Sequence, residues 1–140
     1  MPSLVGRLRV AYDLAREEML ALVHAAGHPH VTGAMITLFR LKGIDQRRPG
    51  DIAVTARLSK QATNDFLREL ERLRYVERHP DATDGRARIM KLTKRGHELD
   101  AAVWEAGRTV EQRWGARIDG KRMATFNQVL DEFIAEHERA

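Results

Sequence analysis

Apolar residues at Leu4, Leu8, Ala11, Ala15, Met19 and Leu22 recur in steps of three and four, the spacing of one face of a long helix, and Gly27 and Pro29 end it. A second helix is expected from about Thr32 to Leu41 with Met35, Leu38 and Phe39 inward, and "KGIDQRRPG" reads as its exit loop. A short helix from about Asp51 to Ala56, a tight turn and a longer helix from Lys60 to about Leu73 follow. In the longer one Thr63, Phe66, Leu67, Leu70 and Leu73 line one side, and Gln61, Asn64, Asp65 and Arg68 the other. Ser59 suits its N-cap, because a hydroxyl there accepts from an unpaired amide of the first turn.

Beyond this helix the period changes. "YVER" and "RARIMKL" alternate like strands, and Pro80, Asp81, Asp84 and Gly85 between them supply turn chemistry, so a hairpin with a charged tip is expected. Arg86 and Arg88, two residues apart on the second strand, would then face the same way. Thr93 can cap a long helix carrying Leu99, Val103, Ala106, Val110 and Trp114 at helical spacing. A last helix, about Gly120 to Glu136, carries Met123, Phe126, Leu130, Phe133 and Ile134 on one stripe. No repeat, low-complexity tract or linker interrupts the chain, and 140 residues suit one domain.

Charge refines this picture. The chain as a whole is only +4, but residues 57–96 hold 11 basic and 6 acidic side chains, leaving 13 basic and 14 acidic elsewhere. The excess belongs to the helix-and-hairpin segment, as expected where one face meets a polyanion; a solvated loop is the alternative. A helix, a turn, a second helix with a polar outer face and a basic hairpin is the order of a winged helix-turn-helix, whose second helix enters the major groove while the hairpin follows the backbone or minor groove. The fold class is therefore mostly α with a small β-hairpin wing, flanked by long N- and C-terminal helices.

The stretch "LSKQATNDFLRELERLRYVERHPDATDGRARIMKLTKRG" resembles the MarR-type family, the multiple antibiotic resistance regulators. The likeness rests on the serine-led recognition helix, the strand ending in Glu-Arg, the wing with Asp-x-x-Asp-Gly-Arg and the Leu-Thr-x-x-Gly that follows. It implies a homodimer whose N- and C-terminal helices intertwine, residues 3–27 and 94–137 here, around winged units of residues 32–96. It also implies a repressor of a palindromic operator in double-stranded DNA, released by a small molecule between the dimerisation and DNA-binding regions. By the same resemblance Arg86 is the tip arginine that reaches the minor groove and Asp84 its orienting partner. The sequence departs from the family at Arg57 and Arg74, where glycine often precedes and follows the recognition helix. Arg57 can add a phosphate contact, at the loss of the residue best suited to a left-handed backbone.

Ser59, Lys60, Gln61, Asn64 and Arg68 form the recognition-helix set, since Gln and Asn can pair with adenine and Arg with guanine. Asp65 is an oddity there, an acid facing phosphate unless it accepts from cytosine or pairs with Arg68. In the wing Asp84, Arg86 and Arg88 are the candidates, with Lys91 and His79 as further phosphate contacts. An Asp84–Arg86 pair that only stiffens the hairpin is the plainer alternative.

His24, His28 and His30 in "HAAGHPH" raise zinc or nickel binding, but Gly27 and Pro29 break the helix between them, which favours helix-end and surface histidines and no metal. Trp104, Trp114 and Tyr12 suit an aromatic effector pocket or plain packing. The absence of cysteine excludes disulfides, thiolate zinc sites and thiol redox sensing. There is no phosphate loop, nucleophile motif or metal-ligand set, so no enzyme and no cofactor is expected. The N-terminal stretch reads as neither a signal peptide nor a membrane span, and a cytoplasmic protein is expected. A winged-helix module that binds protein rather than DNA, and a metal-responsive regulator built on the histidines, are the rival readings.

Overall fold

The computed structural model describes residues 3–39 and 43–139. In chain order they form α1 (Leu4–Ala25), α2 (Gly33–Ile36) continued by a 3-10 turn (Thr37–Phe39), α3 (Pro49–Ala56), α4 (Lys60–Arg72), β1 (Val76–Pro80), β2 (Arg88–Leu92), α5 (Lys94–Ile118) and α6 (Gly120–Arg139). The chain divides into two compact units, the first through Ala106 and the second from Gly107 onward.

Local chemistry sets each boundary. The hydroxyls of Ser3, Thr32 and Ser59 each accept an amide of the following first turn, from Gly6 at 3.0 Å, Met35 at 3.2 Å and Ala62 at 3.1 Å. Pro49 opens α3, where its missing N–H costs nothing. The expected second helix is shorter than its apolar pattern suggested, because Thr37 to Phe39 tighten into the 3-10 turn. Met35, Leu38 and Phe39 are buried as expected, while Leu41 lies outside the described residues.

In the first unit one core gathers Val23 of α1, Ile36 and Leu38, Ile52 of α3, Leu67 and Leu70 of α4, Met90 of β2 and Leu99 of α5. Each such side chain contributes roughly 1.5–3 kcal/mol by burial, so α4 is pinned on its apolar side and presents its polar side outward.

β1 and β2 pair antiparallel, with Arg78 opposite Met90. The expected exit loop of the second helix supplies a one-residue third strand: Gln46 N–H donates to Met90 O and Met90 N–H to Arg47 O, both at 2.8 Å. Asp45 accepts the next free amide, that of Leu92, at 2.8 Å. β2 is thus covered on both edges.

The Leu-Thr-x-x-Gly motif has a steric cause. Thr93 caps α5 by accepting from Gly96 N–H at 3.0 Å and donates to Arg74 O at 2.7 Å, drawing the helix start onto the turn that ends α4. A β-carbon on Gly96 would stand 2.0 Å from the Tyr75 carbonyl oxygen.

In the second unit Asp119 caps α6 through Lys121 N–H at 3.0 Å, Gly115 of α5 packs beside Met123, and Asn127 donates to Glu111. No residue of α6 is buried, and Phe126, Phe133 and Ile134 are about half exposed. The outer half of α1 is alike, with Leu4, Val5 and Val10 exposed. Among the described residues no helix is long and apolar enough to cross a membrane.

Candidate nucleic-acid interface

Thr63, Leu67 and Leu70 fix α4 by burial, with Phe66 packed against the same core, and the polar residues of the helix lie on its other side. Ser59, Lys60, Gln61 and Arg68 are exposed and Asn64 is half-buried. Asp65 is paired: Arg68 Nη2 donates to its Oδ1 at 3.0 Å, so the acid among the cations is neutralised within its own helix.

The wing corrects one expectation. β2 begins at Arg88, and Arg86 lies on the tip turn, so strand alternation does not align the two arginines. The residues before Arg88 are consumed by the turn, where Ala87 N–H donates to Asp84 O and Asp81 N–H to Ala87 O, each at 3.0 Å. Asp84 does engage Arg86, through the backbone: its Oδ1 accepts Arg86 N–H at 3.1 Å. Asp84, Arg86 and Arg88 are all exposed.

Sequence reading missed what holds the wing. Arg48, at the N-cap of α3, reaches Asp81 with Nη2 at 2.7 Å and Nε at 2.8 Å from the same oxygen. The other Asp81 oxygen accepts Thr83 N–H and its hydroxyl, each at 2.9 Å. The Thr83 amide, the Arg48 guanidinium and the Thr83 hydroxyl together bring the Asp81 carboxyl down to about 2. Arg47 ties the preceding loop to α3, donating to Gly43 O at 2.7 Å, Thr55 Oγ1 at 3.0 Å and Asp51 O at 3.0 Å. The start of α3, the loop before it and the wing are thereby one hydrogen-bonded piece beside α4.

Behind this face is a buried polar joint. Tyr75, fully buried at the exit of α4, meets His28 Nδ1 at 2.8 Å and Arg95 Nη2 at 3.1 Å through its hydroxyl, and the Arg95 guanidinium lies 4.6 Å over its ring. Arg95 can only donate, so the hydroxyl proton goes to His28 Nδ1; the reverse would bury an O–H with no acceptor. His28 is therefore a neutral acceptor. Burial first, and then the charge of Arg95, push its pKa below the ordinary histidine value, against the opposing pull of Glu98.

The histidine cluster separates. His24 Nε2 contacts Val31 O at 2.7 Å, His28 is held by Tyr75, and His30 is exposed. Among the described residues no three of His, Cys, Asp or Glu are placed to hold a metal ion. Of the aromatic candidates, Tyr12 on α1 has Arg16 at 5.5 Å over its ring and Trp104 on α5 bonds Asp100.

Residues 12–87, more than half of the chain, match the model of the MarR family. No curated protein matches the sequence. Among solved structures, MarR itself superposes with a TM-score of 0.81 at 21% identity, covering 98% of this chain and 92% of that one. The repressor CouR, bound to a 23-mer DNA duplex, gives 0.75 at 22% identity over 94% and 92%. The Mycobacterium tuberculosis MarR family protein Rv2887 in complex with salicylic acid gives 0.71 at 25% identity over 95% and 97%. A helix with a polar outer face seated on a core, a clipped cationic wing and a family match that runs from α1 through α4 to the wing tip establish that this chain belongs to the MarR family of transcriptional regulators.

Proposed function

We propose that the chain acts as a homodimeric repressor of a palindromic operator, with α4 reading the major groove and the wing the minor groove. The observation that carries this reading is the set of exposed Ser59, Lys60, Gln61 and Arg68 with half-buried Asn64 on a helix fixed from behind, with Arg86 and Arg88 on a wing tied to the same unit. In this reading Gln61, Asn64 and Arg68 meet base edges, and Ser59 and Lys60 meet phosphates near the helix N-terminus. Arg86 enters the minor groove from a tip that Asp84 orients, and Arg88 lies along the backbone. Lys91 adds positive charge to the wing, and His79 is a further candidate for a phosphate contact.

Dimerisation through residues 3–27 and 94–137, around winged units of residues 32–96, is supported by the exposed apolar side chains of α1 and α6. A small aromatic acid is the effector class we put forward, on the precedent of the salicylic acid complex of Rv2887. Such a ligand releases DNA by favouring one separation of the two reading heads over the other; equal affinity for both would shift nothing. An operator-binding repressor would work in the cytoplasm.

The test is selection of duplexes from a random pool by the purified protein, followed by affinity for the winner over a range of salt. An inverted repeat with half-sites about one helical turn apart supports the reading. Absence of enrichment, together with capture of a protein partner, would replace it with the protein-binding module.

A further inference from the structure

Burial along α4 defines which of its residues stand furthest from the core. Thr63, Leu67 and Leu70 are buried, and at about 100° per residue the opposite edge of the helix carries Gln61, Asp65, Arg68 and Arg72, all exposed. Asn64 lies on the flank of this ridge, half-buried. A ridge that only held phosphate would be cationic along its length, yet an aspartate stands in its middle.

Both arginines of the ridge are paired, in different ways. Arg72 is tied back to the flank, where half-buried Glu69 accepts from its Nε at 3.0 Å and from its Nη2. Arg68 is tied along the ridge itself: Nη2 donates to Asp65 Oδ1 at 3.0 Å and Nε to Asn64 O at 3.4 Å. These bonds occupy the side edge of the guanidinium, which has donors on all three nitrogens. The end edge, Nη1 and Nη2, still holds a donor on each nitrogen, side by side, the arrangement that meets O6 and N7 of guanine.

With 65% of the Arg68 side chain and 59% of the Asp65 side chain accessible, the pair contributes little to stability, so holding the fold does not account for it. Its effect is on what the ridge can bind. A carboxylate between Gln61 and Arg68 repels phosphate, and it takes up the edge with which Arg68 would otherwise reach for one.

We propose that Asp65 is a positioning residue for sequence recognition: it holds the Arg68 guanidinium end-on for a guanine and keeps it from phosphate, lowering non-specific affinity and raising selectivity. The proposal rests on the reading of α4 as the groove-entering helix.

Wild type, Arg68→Ala, Asp65→Ala and Asp65→Glu are measured on the duplex that wild type selects from a random pool, on duplexes with each half-site base pair changed in turn, and on a mixed-sequence duplex over a salt series. Circular dichroism and thermal midpoint should agree in all four, since both side chains are exposed. Arg68→Ala locates the base pair at which guanine is preferred. Asp65→Ala should lose preference at that same pair by at least about fivefold. It should also bind mixed-sequence DNA about eightfold more tightly per half-site at 0.1 M salt, with a salt slope steeper by about 0.9, because the released guanidinium takes a phosphate. Asp65→Glu, which can pair with Arg68 as Glu69 pairs with Arg72, should keep the wild-type preference and slope. No guanine preference lost in Arg68→Ala, unchanged preference or no tighter mixed-sequence binding in Asp65→Ala, or an equal loss in Asp65→Glu overturns the proposal and leaves the DNA-binding reading standing. A wild-type protein that enriches no duplex overturns both.

Discussion

Arg48 and Asp81, 33 positions apart, are joined by two hydrogen bonds to one carboxylate oxygen, and through them the start of α3 holds the base of the wing tip. Both ends carry some solvent exposure, with 43% of the Arg48 side chain and 14% of the Asp81 side chain accessible, so the pair acts more on geometry than on global stability. Asp81→Asn or Arg48→Ala should leave the thermal midpoint nearly unchanged while the Asp81 and Ala87 amides exchange faster. DNA affinity should fall through loss of wing position, with Arg86 still present. With the Asp81 carboxyl at about 2, the clip is complete above the ordinary carboxylate range and is lost only as pH falls towards that value. Exchange rates identical to wild type would show that the clip does not order the wing.

Base reading and phosphate binding separate by specificity. Gln61→Ala or Asn64→Ala should cost roughly 1–3 kcal/mol on the preferred operator and little on mixed-sequence DNA. Arg86→Ala should weaken both and flatten the salt slope, with the oligomeric state intact. Equal losses of Gln61→Ala on both duplexes would remove it from the reading set.

Gly96 is fixed by the 2.0 Å approach its β-carbon would make to the Tyr75 carbonyl oxygen. The obstacle is backbone held by Thr93, whose amide donates to Tyr75 O at 3.0 Å, so it cannot swing aside like a flexible side chain. Gly96→Ala should cost about 2–3 kcal/mol, a fall in thermal midpoint of roughly 6–12 °C. Calorimetry of the two proteins decides it; a fall of a degree or less would mean the helix start shifts freely.

Much of this was legible in the sequence, and the misses have physical causes. Spacing of three and four located α1, α4, α5 and α6 because each repeats an apolar side chain on one face over several turns. The interval from Thr32 to Leu41 is too short for period to separate an α-helical turn from the 3-10 turn at Thr37–Phe39. Arg86 and Ala87 looked like strand because they alternate with Arg88, but the Ala87 amide is committed to Asp84 O. The Arg48–Asp81 clip and the Arg47 bridge join loops distant in sequence, and no local pattern announces such pairs. Arg57 and Arg74 stood out only as missing glycines; their retained left-handed backbone became visible from φ alone.

His28 makes the first unit sensitive to mild acid. Its folded-state pKa lies below the ordinary 6.5, so between that folded value and 6.5 the unfolded chain binds more protons than the folded one. Stability from the joint is therefore complete above about 6.5 and declines as pH falls through the folded value, because a protonated ring can no longer accept from Tyr75 and faces Arg95. Glu98 is the acid that moderates this. His28→Gln keeps an acceptor without titrating, so its thermal midpoint should vary less than that of wild type between pH 7.5 and pH 5. Parallel profiles for the two proteins would place the acid sensitivity elsewhere.

The uncovered apolar side chains of α1 and α6 give the last prediction. Leu8 is 39% exposed and Phe133 56%, each on a helix with further apolar neighbours in the same state. In a lone chain these positions make little core, so a charge there should leave helix content and the buried joint unaltered. In a two-fold dimer every substitution acts twice, and large apolar side chains contribute roughly 1.5–3 kcal/mol each when buried. Phe133→Glu should therefore weaken self-association by at least about a hundredfold while circular dichroism is unchanged. Sedimentation equilibrium measures the first quantity directly. Operator affinity should fall with it, and the salt slope should drop towards half, because a monomer engages one half-site and half the phosphates. A wild-type protein that sediments as a monomer while binding an inverted repeat would mean that DNA, rather than these helices, brings the two copies together.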